Sequence, residues 1–404
     1  MTDATPAARR LRVMMLGLRG CPNVQGGVER HVEELGPRLA ALGAEVEVVA
    51  RAPYVGEPGP HRWEGITVHP LPATRRRSLE ALLHTALGVL HAARRRPDVL
   101  HVHAIGPALF VPLARLLGLT VVVTHHGFDY DRHKWGRAAR ALLRLGERWG
   151  MAHAHARIAV SEAVGEAMRR RYRVPVEAIP NGVALDPAPA SAGALARFGL
   201  ERHRYVVMVG RLVPEKRHLD LVAAFERAGV PGWKLALVGG ADHPDAYSRA
   251  VEAAAAASPG VVATGFQTGL ALRELVAHAG LFALPSSHEG LPIALLEALA
   301  YEVPAIASDI PANREVGLAA EAYVPVGDVE ALSRRLAEAM RAPRRADQGR
   351  AERERVAATY DWDRIAERTL AVYRAAAGRG ARRRGHLGED EFQPHGAGRR
   401  EANV

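Results

Sequence analysis

Short apolar runs alternate with stretches of helical periodicity along almost the whole chain. Leu11–Leu16 is a short apolar run, followed by a glycine-bearing loop and a helical stretch from Val28 to Leu42. Glu45–Ala50 is extended and rich in valine. Val99–Val102, Val121–Thr124 and Ile158–Val160 repeat the theme, alternating with helical stretches such as Trp135–Trp149. Strands that are continuously apolar suit a parallel sheet covered by helices on both faces.

The rhythm breaks at Pro180-Asn181-Gly182, and Asp186–Ala192 is rich in proline and alanine. It restarts with Tyr205–Val209, Lys234–Val238, Val261–Thr264, Leu281–Leu284 and Ala305–Ala307. Two such βα series predict an α/β protein of two Rossmann-like, doubly wound parallel-sheet domains. Their expected bounds are 1–181 and 182–358, with the hinge near 180–192. Residues 344–376 read as two helices, the second carrying Ile365, Leu370 and Tyr373. From Gly378 the apolar periodicity ends, which predicts a disordered tail over 378–404.

Composition narrows the class. A chain of 404 residues is long for one core, and 48% hydrophobic with 24% charged residues is globular usage. The single cysteine, Cys21, excludes a disulfide framework and suits a reducing, cytoplasmic setting. No run of about 18 apolar residues is present, and the N-terminal MTDATPAARR lacks the apolar core of a secretory signal. The net charge of +10 admits an anionic partner, or clusters such as Arg75-Arg76-Arg77, Arg94-Arg95-Arg96 and Arg169-Arg170-Arg171 that simply solvate helix faces. Scarce aromatics, not interleaved with basic residues, argue against nucleic acid. The basic first-domain helices fit peripheral attachment at the anionic inner face of a membrane.

In doubly wound sheets the ligand lies beyond the carboxyl ends of the strands, so those loops hold the candidate chemistry. Gly26-Gly27 opens a helix and leaves backbone N–H groups bare for an anion, although a tight turn explains it equally well. The loop matches neither the dinucleotide nor the Walker pattern. His125, His126 and Gly127 end the fourth strand of the first series, where a histidine beside glycine can approach a substrate closely. His101 and His103 project to one face of a strand, and could join His125 or His126 at a metal. No acidic residues accompany them at ligand spacing, so no metal is expected. Gly210, Arg211 and Lys216 suit a pyrophosphate, because arginine forks across two oxygens and lysine supplies a mobile charge. Gly239 ends a strand and permits close approach of a base or ribose. Glu289, Gly290 and Leu291 precede a helix for which Pro292 suits the first position, with Glu297 about 7.5 Å into it by the rise per residue. One carboxylate can reach a sugar and the other a ribose, while the N–H groups of Gly290 and Leu291 face phosphate.

Taken in order, these segments resemble glycosyltransferase family 4, the large retaining group with the GT-B fold of two domains facing across a cleft. The resemblance covers roughly residues 11–377. Its most specific parts are Glu289 and Glu297 with seven residues between them, Gly210-Arg211-Leu212 with Lys216, and Pro180-Asn181-Gly182-Val183. The loop from Gly127 to Gly136 is similar to a rhamnosyltransferase-like subgroup. The resemblance implies that Arg211 and Lys216 hold a donor diphosphate, that Glu289 binds the transferred sugar, and that Glu297 binds the ribose. It implies His126 near the anomeric carbon, Gly27 beside the diphosphate, and helix 362–377 crossing back onto the first domain. Asp129, Arg132 and Lys134 would shape the acceptor side. The implied reaction is metal-independent transfer, with retention, from a nucleotide-sugar to a glycan, lipid-linked saccharide or other hydroxyl; the nucleotide-sugar is a substrate, and no cofactor is implied. A phosphorylase, an epimerase or a non-catalytic nucleotide-sugar-binding subunit would share the fold. One departure is Ala184, where the family often has Asp; Asp186 follows two residues later.

Overall fold

A computed structural model describes residues 9–74, 80–131, 136–342 and 346–389. The first sheet contains β1 (Arg12–Leu16), β2 (Glu45–Arg51), β3 (His61–Trp63), β4 (Ile66–Leu71), β5 (Val99–His103), β6 (Val121–His125), β7 (Ala156–Ala159) and β8 (Glu177–Ala178). Their spatial order is β3-β4-β2-β1-β5-β6-β7-β8, parallel throughout except where β3 runs against β4. The second sheet contains β9 (Tyr205–Val209), β10 (Lys234–Val238), β11 (Val261–Gly265), β12 (Leu281–Leu284), β13 (Ala305–Ser308) and β14 (Tyr323–Val324). It is wholly parallel, in the order β11-β10-β9-β12-β13-β14. In both sheets the order reverses beside the first strand of the series, which opens a crevice at the strands' carboxyl ends.

The apolar runs become strands because both of their faces are covered. Met14, Leu16, Leu100, Val102, Val121 and Val123 pack on one side of the first sheet. Val13, Met15, Val99, Val122 and Ile158 pack on the other. The β3–β4 hairpin was not apparent in the apolar pattern. It turns through Glu64 and Gly65, both at positive φ, which fits the two-residue hairpin turn of mirror-image type. Its first strand is short and on the sheet's edge, so it carries no apolar run.

Helix Trp362–Glu389 returns to the first domain, where Trp362, Ile365, Leu370 and Tyr373 join the core containing Val13 and Val122. The linker Val183 pairs with Asp361 alongside, so the chain crosses between the domains twice at one place. This helix corrects the tail expected from Gly378, since it continues to Glu389. Gly380 is there for close packing, not as a break: a Cβ on it would overlap the Thr120 hydroxyl. Arg379 beside it donates to the carbonyl of His155 at 3.3 Å. Residues 390–404 of the expected tail lie outside the described residues. No helix among the described residues is long and apolar enough to cross a membrane.

Not all the arginine clusters are solvating faces. Arg95 donates to the buried Glu47, and Arg171 to the buried Glu147. Residues 75–77 lie outside the described residues.

Candidate functional site

The carboxyl ends of β1, β6, β9, β10 and β12 open into one interdomain cavity of about 380 Å³. Gly26, Gly27, His126, Asp129, Gly210, Arg211, Lys216, Gly239, Glu289, Gly290, Leu291 and Glu297 all line it. Arg132 and Lys134 lie outside the described residues.

On the second domain, Lys216 donates to Glu289 at 2.7 Å, so the expected diphosphate and sugar groups neutralise each other in the free protein. Arg211 lies 3.9 Å from Asp242, a carboxylate on the loop after β10. Gly239 sits at φ +148 with its Cα against the carbonyl of Gly210, where a side chain would overlap that oxygen. That close approach joins the β9 and β10 loops into one wall. Helix Ile293–Ala300 follows Pro292, which occupies the N-cap position and not the first turn. Glu297 therefore lies at the fifth residue of the helix, still lining the cavity.

On the first domain, Gly26 at φ +151 starts helix Gly27–Ala41. The carboxylate of Glu29 folds back against Gly26 and is held by the backbone N–H and the guanidinium of Arg19, each at 3.0 Å. Burial pushes the Glu29 carboxyl up, but Arg19 outweighs it and the group ends below its ordinary range. Gly27 leaves open space toward the cavity, consistent with a bare helix N-terminus.

The histidines form a cluster that includes His31, which the spacing did not foretell. His126 pairs with His103 at 3.0 Å, and the His31 ring lies edge-on to both. Burial, with His31, His101 and His125 adding, holds His126 well below its ordinary pKa, so its ring is neutral. His101 is engaged by Tyr373 and Thr124, both at 2.6 Å, and His125 by Glu147 at 3.0 Å. Neither is available to join His103 at a metal, which corrects that alternative. Among the described residues, the groups that could hold a metal are His31, His103 and His126, or Glu47, His69 and His91; Glu47 already pairs with Arg95.

Several contributors had little signal in the sequence. Arg30 pairs with Glu297 across the cleft at 3.1 Å, and Arg19 pairs with Asp242 across it. Asn181 accepts from His31 at 2.9 Å and donates to the carbonyl of Leu291 at 3.0 Å, tying the interdomain linker to the loop before helix Ile293–Ala300. Its Pro-Asn-Gly setting was the available signal. Asp186 pairs instead with Arg273 at 3.0 Å and is not among the cavity's lining residues.

The chain is similar to glycosyltransferases over most of its length. The signature of Glycosyltransferase Family 4 matches residues 25–187, and that of Glycosyl transferases group 1 matches residues 196–355. Alpha-maltose-1-phosphate synthase of Mycolicibacterium smegmatis is 32% identical over 398 residues, covering 90% of this chain and 99% of the relative. The 2-deoxystreptamine N-acetyl-D-glucosaminyltransferase of Streptomyces fradiae is 29% identical over 398 residues, covering 88% and 92%. Sucrose-phosphate synthase from Thermosynechococcus elongatus has the same fold, with a TM-score of 0.79 at 23% identity, covering 91% of this chain and 99% of that one. So does Anabaena HepE in complex with UDP-glucose, with a TM-score of 0.73 at 16% identity, covering 91% and 100%. With both halves of the chain matched in order and the cavity at their junction, the chain belongs to glycosyltransferase family 4 and is a GT-B glycosyltransferase.

Proposed function

We propose that the protein takes a sugar from a nucleotide-sugar donor and passes it to a hydroxyl acceptor, with retention and without a bound metal. The observation that carries this is one cavity with Arg211, Lys216 and the start of helix Ile293–Ala300 on one side and His126 on the other. A diphosphate between Arg211 and Lys216 meets a forked guanidinium and a point charge, which offset the charge that builds on the leaving nucleotide. Glu289 is then released from Lys216 to accept from sugar hydroxyls, and Glu297 shares the ribose with Arg30. Of the five carboxylates lining the cavity, Glu29, Glu33 and Glu297 are each paired with an arginine, and Glu289 is taken up by the sugar's hydroxyls in this reading. That favours same-face departure and return over attack by a protein nucleophile.

The names alpha-maltose-1-phosphate synthase and sucrose-phosphate synthase describe phosphorylated products. Phosphorylated sugars therefore lead the acceptor panel, beside polysaccharide and lipid-linked saccharides. The test begins with thermal melts against UDP-, ADP-, GDP- and dTDP-sugars, since a matching donor raises the melting temperature by mass action. Nucleotide release is then followed with and without EDTA, and the product's anomeric configuration is read by NMR. One donor should stabilise the protein and turn over in EDTA with its configuration kept. Binding without release across the panel would sink transfer. An inverted product would sink retention, and a loss in EDTA restored by added metal would sink metal independence.

A further inference from the structure

The turn that carries His126 is held from behind by a buried charge network. Glu147, on helix Arg137–His153, is buried and surrounded by donors. Its Oε2 pairs with Nε2 of His125 at 3.0 Å. Its Oε1 accepts from Arg171 at 2.9 Å and from the Tyr172 hydroxyl at 2.7 Å. On the other side of the His125 ring, Nδ1 accepts the backbone N–H of Gly127 at 3.2 Å. Gly127 is at φ +120, with its Cα facing Gly290 of the donor loop. Gly290 in turn lies so close to the carbonyl of His126 that a side chain on it would overlap that oxygen.

These partners leave His125 one tautomer. A carboxylate only accepts, so Nε2 must carry the hydrogen; a backbone N–H only donates, so Nδ1 must be bare. Burial pushes the Glu147 carboxyl up, but the bonds from His125, Tyr172 and Arg171 outweigh it and hold it down to about 2. The group is therefore an ionised acceptor throughout the neutral range.

We infer that Glu147 is a positioning residue for transfer, fixing the His125 tautomer and thereby the His126-Gly127 turn that meets the donor loop at Gly290. The inference rests on the proposed transfer reaction, with His126 at its first-domain side. Glu147 does not line the donor cavity, so it reaches the donor only through His125. A neutral amide of the same shape cannot replace it. Three donors face the carboxylate, and an amide turns its own NH2 toward at least one of them. If that one is His125, the imidazole takes the other tautomer and sets an N–H against the N–H of Gly127.

The test uses the full chain and the donor that stabilises it, after wild-type nucleotide release is established. Absence of wild-type release would fault the transfer reading, whereas the variants' rates relative to wild type bear on the positioning role. Glu147→Gln should lower kcat at least about tenfold with donor KM within about threefold, since the second-domain donor contacts are untouched. His125→Asn leaves an acceptor for Gly127 where Nδ1 stood, whereas His125→Gln leaves only a donor toward Glu147. His125→Asn should therefore keep at least about fivefold more kcat than His125→Gln. In the Glu147→Gln/His125→Asn double variant, the losses should not multiply, because both act through one ring. Wild-type kcat in folded Glu147→Gln, multiplying losses, or equal kcat in the two His125 variants would each overturn the inference. The two His125 variants decide it alone if Glu147→Gln does not fold.

Discussion

Replacing Lys216 by alanine separates a charge that stabilises the fold from one that stabilises departing phosphate. The Lys216–Glu289 pair is 2.7 Å apart, with 19% and 11% of the two side chains exposed. At an effective dielectric of about 20 the gross attraction is about 6 kcal/mol, most of it offset by the desolvation of both groups. Each charge still reaches the cavity's water, so the expected stability loss is about 1–2 kcal/mol, a few degrees of melting temperature. Losing a cation aimed at charge that develops in the transition state costs about 2.7–4 kcal/mol, or a hundred- to a thousandfold in kcat. Nucleotide release under saturating donor, alongside thermal melts, reads both quantities. A second variant removes the remaining ambiguity. If Lys216 served only to neutralise Glu289, adding Glu289→Gln to Lys216→Ala would restore turnover; the expected result is no restoration. A kcat within tenfold of wild type in Lys216→Ala, or recovery in the double variant, would refute the assignment.

Three further outcomes follow from the packing. Gly290→Ala places a methyl group against the carbonyl of His126 across the cleft; kcat should fall at least about tenfold while the melting temperature moves by only a few degrees, because the overlap lies between domains. Trp362→Ala empties a wholly buried site where the indole covers Gly182 and meets His31 edge-on; urea unfolding should report a loss of about 3–5 kcal/mol. Burial pulls the imidazoles of His31 and His84 down to about 4, and that of His218 to about 3. Unfolded chains protonate these rings near pH 6.5, so the unfolded state binds more protons as pH falls from 6.5 toward 4. Stability should drop through that window by about 2 kcal/mol per ring at pH 5, read from urea midpoints at pH 7.5 and 5; an unchanged midpoint would contradict the buried neutral rings.

The sequence by itself determined the two parallel-sheet domains, because strands covered on both faces must be apolar throughout and such runs are visible without a structure. It also picked out the second domain's share of the cavity lining. Gly210, Arg211, Lys216, Glu289 and Glu297 sit on loops and a helix at the carboxyl ends of that domain's strands, so local chain direction suffices to bring them to one cavity. The tertiary structure decided what required two distant segments to meet. Arg30 finds Glu297, and Asn181 joins His31 to Leu291, only when the domains face each other. The histidines followed the same division. Spacing put His101 and His103 on one strand face, but packing from helices Gly27–Ala41 and Trp362–Glu389 gave His101 to Tyr373 and left His103 with His126. Glu147 had no signal at all, since an acidic residue on an arginine-rich amphipathic helix reads as surface until the fold buries it against His125. Periodicity records which face of an element is covered. It does not record which polar side chain on another element will meet it there.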